Sequence, residues 1–72
     1  MENESTPQIV SLTKRETDVL RLIAKGFTTP EISAELGIGH ETVLGYRKQL
    51  HKKLKVNKAA ELIYRATELQ LL

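Results

Sequence analysis

Along the chain, short stretches of helical periodicity alternate with capped or glycine-marked breaks. In "LTKRETDVLRLIAKGF", residues 12–27, Val19, Leu20, Ile23 and Phe27 recur at the three- and four-residue spacing of one helix face. Thr13 followed by Glu16 is a capping-box pair, each side chain suited to the other's backbone N–H, so a first helix starts there. Gly26 marks its end, because glycine closes a helix in the left-handed conformation without a steric cost. "TTPEISAELG" repeats the design: Thr28 and Glu31 form the box, Ile32 and Leu36 face inward, and Gly37 is the stop. Pro30 sits in the first turn, where its missing N–H is harmless.

A third helix is predicted over residues 39–54, entered through Gly37-Ile38-Gly39. At about 100° per residue, Val43, Tyr46, Leu50 and Leu54 share the core side. Glu41, Leu44, Gly45, Lys48, Lys52 and Lys55 share the opposite side, flanked by His40, Arg47 and His51. A fourth helix is predicted over residues 57–70, with Asn57 as its cap. Its apolar positions make two stripes, Ala59, Leu62, Ile63, Ala66 and Gln70, then Ala60, Tyr64, Thr67 and Leu71 about 100° round. So wide a face assigns one edge to the core and the other to a partner. The expected fold class is all-α, a four-helix domain over residues 12–72 built on a central helix-turn-helix. "MENESTPQIVS", residues 1–11, lacks periodicity and reads as a flexible tail or linker remnant.

Composition narrows this picture mainly by exclusion. At 72 residues the chain makes one small domain, and without cysteine it has neither a disulfide staple nor a thiolate metal site. One Phe, two Tyr and no Trp leave the core to Leu, Ile, Val and Ala. No apolar run reaches membrane-span length and none follows Met1 as a signal would, so the expected location is the cytoplasm. His40 and His51 have no third ligand in register, so no metal is expected. A Gly-rich phosphate loop, paired carboxylates in an apolar setting and a Cys–His arrangement are all missing. An enzyme, a cofactor and a small-molecule ligand are therefore not expected.

Charge adds direction. The net charge is only +2, and residues 1–38 hold four basic side chains against six acidic ones. From Gly39 to Lys58, by contrast, Arg47, Lys48, Lys52, Lys53, Lys55 and Lys58 face Glu41 alone. A local basic stripe is the footprint of a polyanion partner. Its plain alternative is a solvated helix face, which would more often intersperse Glu with Lys at four-residue spacing.

From Leu12 to Leu62 the residues also follow a known pattern. Leu12-Thr13, Arg15-Glu16, Val19-Leu20, Gly26, Glu31-Ile32, Leu36, Thr42-Val43, Lys53-Leu54 and Val56-Asn57 stand in order and spacing. The chain thereby resembles the LuxR/GerE-type helix-turn-helix domain of NarL- and FixJ-type response regulators. The resemblance implies four helices, the third in the major groove of promoter DNA and the fourth mediating dimerisation. Base contacts are then expected from Leu44, Gly45 and Lys48, and phosphate contacts from Thr28, Thr29, Thr42, Arg47 and Lys52. Ala60, Ile63, Tyr64 and Thr67 are the expected dimer contacts. RNA polymerase is a further expected partner. Three positions depart from the pattern: Gly39 stands for the usual Ser cap, Leu44 for a common Lys or Arg, and Tyr46 for a frequent His.

The expected function is that of a sequence-specific DNA-binding domain of a bacterial transcriptional regulator. The slightly favoured setting is the output half of a receiver-containing response regulator, with "STPQIVS" as linker; a stand-alone regulator is the other. The rival class is a protein-interaction module, an adaptor or anti-regulator that binds an acidic partner.

Overall fold

A computed structural model describes residues 10–72, so the tail expected over residues 1–11 lies, as far as residue 9, outside the described residues. Four helices follow in order: α1 (Lys14–Ala24), α2 (Thr29–Leu36), α3 (His40–Leu54) and α4 (Ala59–Glu68). The two capping boxes form as their sequences predict. Glu16 N–H donates to Thr13 Oγ1 (3.1 Å) while Thr13 N–H donates to Glu16 Oε1 (2.9 Å). The same reciprocal pair joins Thr28 and Glu31 at 3.3 and 2.8 Å.

All four helices stop by one device. Gly26, Gly37, Lys55 and Gln70 each turn left-handed, at φ of 92°, 66°, 58° and 59°. The next residue's N–H then folds back onto a carbonyl five residues earlier: Phe27 to Leu22, Ile38 to Ser33, Val56 to His51 and Leu71 to Ala66, at 2.8–3.2 Å. Orphan carbonyls at the helix ends are satisfied this way, and an apolar residue is aimed inward. Phe27, Ile38, Val56 and Leu71 all pack, partly buried, against the core. The chain thus uses each helix end twice, as a stop and as a core contact.

The core itself is Val19, Leu20, Ile23, Ile32, Val43, Leu50, Leu54, Leu62 and Ala66. Each buried Leu, Ile or Val contributes roughly 1.5–3 kcal/mol relative to staying exposed. α3 touches each of the other helices, whereas α2 and α4 lean on α1 and α3 and not on each other. α1 touches all three others as well, so α1 and α3 are the two struts of the domain, and α3 turns Val43, Leu50 and Leu54 inward with Tyr46 half-buried beside them. Packing also begins before α1, since Val10 and Leu12 lie partly buried against the core.

The fourth helix differs from its prediction at both ends. Its cap is Lys58, not Asn57, because Glu61 Oε1 reaches back to accept from the N–H groups of Asn57 (3.1 Å) and Lys58 (3.3 Å). It stops at Glu68, since the left-handed turn at Gln70 ends the helix before residue 70. Ala59 and Gln70, read on one apolar stripe with Leu62, Ile63 and Ala66, are exposed, and Leu62 and Ala66 carry the burial.

Candidate nucleic-acid interface

The interface begins at the α2–α3 turn. Gly37 closes α2, Ile38 plugs into the core, and Gly39 starts α3 with an extended backbone and no side-chain capping bond. Ser33 Oγ donates to the Ile38 carbonyl, so a side chain of α2 staples the turn that sets the angle between α2 and α3. Nothing in the residue pattern of the turn itself announces that staple.

On α3 the outward face is what the 100° wheel implies. Glu41, Leu44, Gly45, Lys48 and Lys52 are all exposed, and Arg47 and His51 lie half-buried on its flank with His40 exposed. Lys55, expected on this face, is exposed just past the helix end, where the backbone turns left-handed. His51 Nδ1 donates to the Arg47 carbonyl at 2.9 Å, which leaves Nε2 directed away from the helix backbone. The three expected base-reading residues, Leu44, Gly45 and Lys48, therefore sit together on one accessible strip. A Cβ built on Gly45 meets no atom within 4 Å, so the fold does not require glycine there.

The expected phosphate contacts distribute around this strip. Thr42 and Lys52 are exposed on α3, and Arg47 emerges from its flank. Thr28 caps α2 and Thr29 occupies its first turn. The Thr28 hydroxyl accepts the Glu31 N–H, which leaves its own proton free to donate to an anion.

The cations at the start of α1 and those of α3 are treated differently. On α1, Lys14 and Arg15 both pair with Asp18, at 3.5 Å each. On and just after α3, Arg47, Lys48, Lys52, Lys55 and Lys58 have no carboxylate partner among the described residues. Lys53 is the exception. Its Nζ pairs with buried Glu16 of α1 at 2.8 Å and donates to the Ser11 carbonyl at 3.0 Å. Burial acts to raise the Glu16 pKa, but the Lys53 hydrogen bond, the Thr13 N–H and the Lys53 charge outweigh it, holding the carboxyl below its ordinary value. Lys53 is thus removed from the basic stripe and made part of the frame. A sequence signal existed: three residues after Leu50, Lys53 falls about 60° from it on the core side, beside Tyr46.

Together these features describe a helix-turn-helix whose second helix presents, around an accessible strip, cations without a carboxylate partner among the described residues. The profile described as "Bacterial regulatory proteins, luxR family" matches residues 10–66, which covers most of the chain and every helix through Ala66. The chain belongs to the LuxR family of DNA-binding domains.

Relatives agree with the assignment. This LuxR-type domain is 44% identical over 54 residues to the transcriptional regulatory protein UhpA of Salmonella typhimurium, covering 75% of this chain and 28% of UhpA. Its fold matches the crystal structure of ChrA, a response regulator of a heme-sensing two-component system. The TM-score is 0.84 at 26% identity, over 100% of this chain and 35% of ChrA. A second match is VqmA from Vibrio cholera in a ligand–DNA complex, with TM-score 0.81 and 33% identity over 93% of this chain and 29% of VqmA. The chain spans about a third of the length of each of these proteins. As a member of this family it is a DNA-binding domain of a transcriptional regulator, not an enzyme. No helix among the described residues is long and apolar enough to cross a membrane.

Of the four expected dimer contacts, Ala60, Tyr64 and Thr67 occupy the outer side of α4 and Ile63 does not. Ala60, Tyr64 and Thr67 are exposed, Tyr64 at 67% of its surface. Ile63 is half-buried against the domain's own core. The Thr67 hydroxyl donates to the Ile63 carbonyl at 2.9 Å, turning its polar end onto the helix and its methyl outward.

Proposed function

We propose that this LuxR-type domain is the output half of a response regulator that binds promoter DNA sequence-specifically. In this reading α3 lies in the major groove, and two copies pair through α4. The observation that carries it is the outward strip of α3, where Leu44, Gly45 and Lys48 stand among cations that have no carboxylate partner among the described residues, on a helix that packs against all three others. α3 is 15 residues long, about 22 Å, and a major groove of about 12 Å width admits such a helix.

Roles divide by reach and position. Lys48, central on the strip, suits guanine O6 and N7. Arg47, Lys52 and the threonines Thr28, Thr29 and Thr42 suit phosphates, which orient the domain without reading sequence. The response-regulator setting is supported by the likeness to ChrA. Pairing through Ala60, Ile63, Tyr64 and Thr67 would set two recognition helices about one DNA turn apart, roughly 34 Å.

The test is titration of labelled duplexes at two salt concentrations with wild type, Lys48→Ala and Lys52→Ala. Lys48→Ala is expected to relax preference at one base pair by about 1–3 kcal/mol. Lys52→Ala is expected to weaken all duplexes alike and to lower the slope of log K against log salt by about one. Absence of binding to any duplex at low salt would refute the DNA reading and favour an acidic protein partner.

A further inference from the structure

Among the described residues the exposed large apolar side chains are few: Leu44 on α3, Tyr64 on α4 and the terminal Leu72. Leu44 is the unusual one, because its neighbours on the same face are charged. It lies three and four residues before Arg47 and Lys48, side chains that draw a polyanion onto this surface. An apolar side chain pressed against duplex DNA finds few apolar partners there. In the major groove the apolar landmark is the C5-methyl of a pyrimidine, carried by thymine or by 5-methylcytosine. Gly45 follows at once, with open space where a side chain would stand, so no Cβ holds the backbone next to Leu44 away from the groove floor.

We infer that Leu44 is a specificity-determining residue that selects a pyrimidine C5-methyl at one step of the half-site. The inference rests on the proposed groove reading by α3. A Lys or Arg at this position would donate to guanine or phosphate; leucine exchanges that donor for an apolar contact, which the methylated pyrimidine edge offers in the major groove. Lys48, one turn further along α3, keeps the polar half of the readout.

The test starts from duplexes selected out of a random pool by this chain. Each thymine of the selected half-site is then replaced singly by deoxyuridine, which keeps the base pair and removes only the methyl. One step is expected to lose about fourfold in affinity, the scale of one buried methyl group. Leu44→Ala is expected to bind the thymine and deoxyuridine duplexes equally, while Leu44→Met keeps the difference. Leu44→Lys should lose it and gain affinity for all duplexes. Placing cytosine or 5-methylcytosine at that step separates the two methyl sources: a gain of similar size on methylation shows that the methyl alone suffices, and no gain assigns the contact to thymine. Because Leu44 is exposed, thermal melts of the variants should match wild type. A selected site that tolerates deoxyuridine at every thymine, or a penalty that persists in Leu44→Ala, overturns the inference while leaving groove reading intact. Failure to select any site overturns both.

Discussion

Two glycines, one on α3 and one capping its start, show how single residues divide between folding and binding. Gly45 is exposed, and a Cβ there meets nothing, so Gly45→Ala should stabilise the domain by about 1 kcal/mol through helix propensity alone. The same variant is expected to bind selected DNA less well if close approach to the groove is what glycine provides. A melt and a titration on the one variant check both signs, and unchanged affinity would reduce Gly45 to a tolerated residue. Gly39 is the counterpart. It starts α3 without a side-chain cap, its backbone is extended, and an added Cβ would lie an ordinary 3.8 Å from Thr42 Oγ1. Gly39→Ser should therefore fit and add a few tenths of a kcal/mol, seen as a small rise in Tm.

Between helices, the decisive contact is Lys53 with Glu16. Glu16 serves twice, as the return half of the α1 capping box and as the anion that ties α3 to α1. Lys53→Met leaves a buried carboxylate without its cation and is expected to destabilise by about 1–3 kcal/mol. Lys52→Met, one position earlier on the exposed face, should leave the melt within about 0.5 kcal/mol of wild type. The pair also fixes a pH dependence. Because the folded carboxyl titrates below its ordinary value of 4.5, its contribution is complete above that pH and is lost as pH falls through the folded pKa. Denaturant midpoints measured downward from pH 6 should fall below about pH 4.5 in wild type and less steeply in Glu16→Gln. This bridge joins residues 37 apart in sequence, and the basic run from Gly39 to Lys58 did not distinguish Lys53 from its neighbours. Its place on the core side of the wheel was visible; its partner required α1 and α3 to meet.

For the whole domain, the proposed pairing of two copies rests on α4. Tyr64 is two-thirds exposed, while Ile63 beside it is already engaged with the domain's own core. Tyr64→Arg should therefore leave the fold and the binding of a single half-site unchanged. On two half-sites one turn apart it should cost roughly tenfold or more, because linked binding of two domains is lost. Equal effects on single and paired sites would place Tyr64 outside the dimer contact.

Much of this domain was written in local patterns. Thr13 with Glu16 and Thr28 with Glu31 cap their helices because a capping box needs only residues three apart, and Gly26 and Gly37 stop them because glycine tolerates positive φ. The outward strip of α3 is equally local, since the 100° repeat places Leu44, Gly45 and Lys48 opposite Val43, Leu50 and Leu54 wherever the helix lies. The features that were not read from the sequence are of two kinds, local helix stops and caps, and contacts made between helices. Lys55 and Gln70 turn left-handed although neither is a glycine, and in each case the next residue, Val56 or Leu71, gains a place against the core. Glu61 moves the start of α4 from Asn57 to Lys58, and a helix that leans only on α1 and α3 leaves Ala59 and Gln70 in solvent. Local sequence determines where backbone hydrogen bonds begin and end, because those bonds span a few residues. Burial and charge pairing are decided when helices distant in sequence share one core, and only that packing turned one lysine of the basic run into a brace and left the others facing outward.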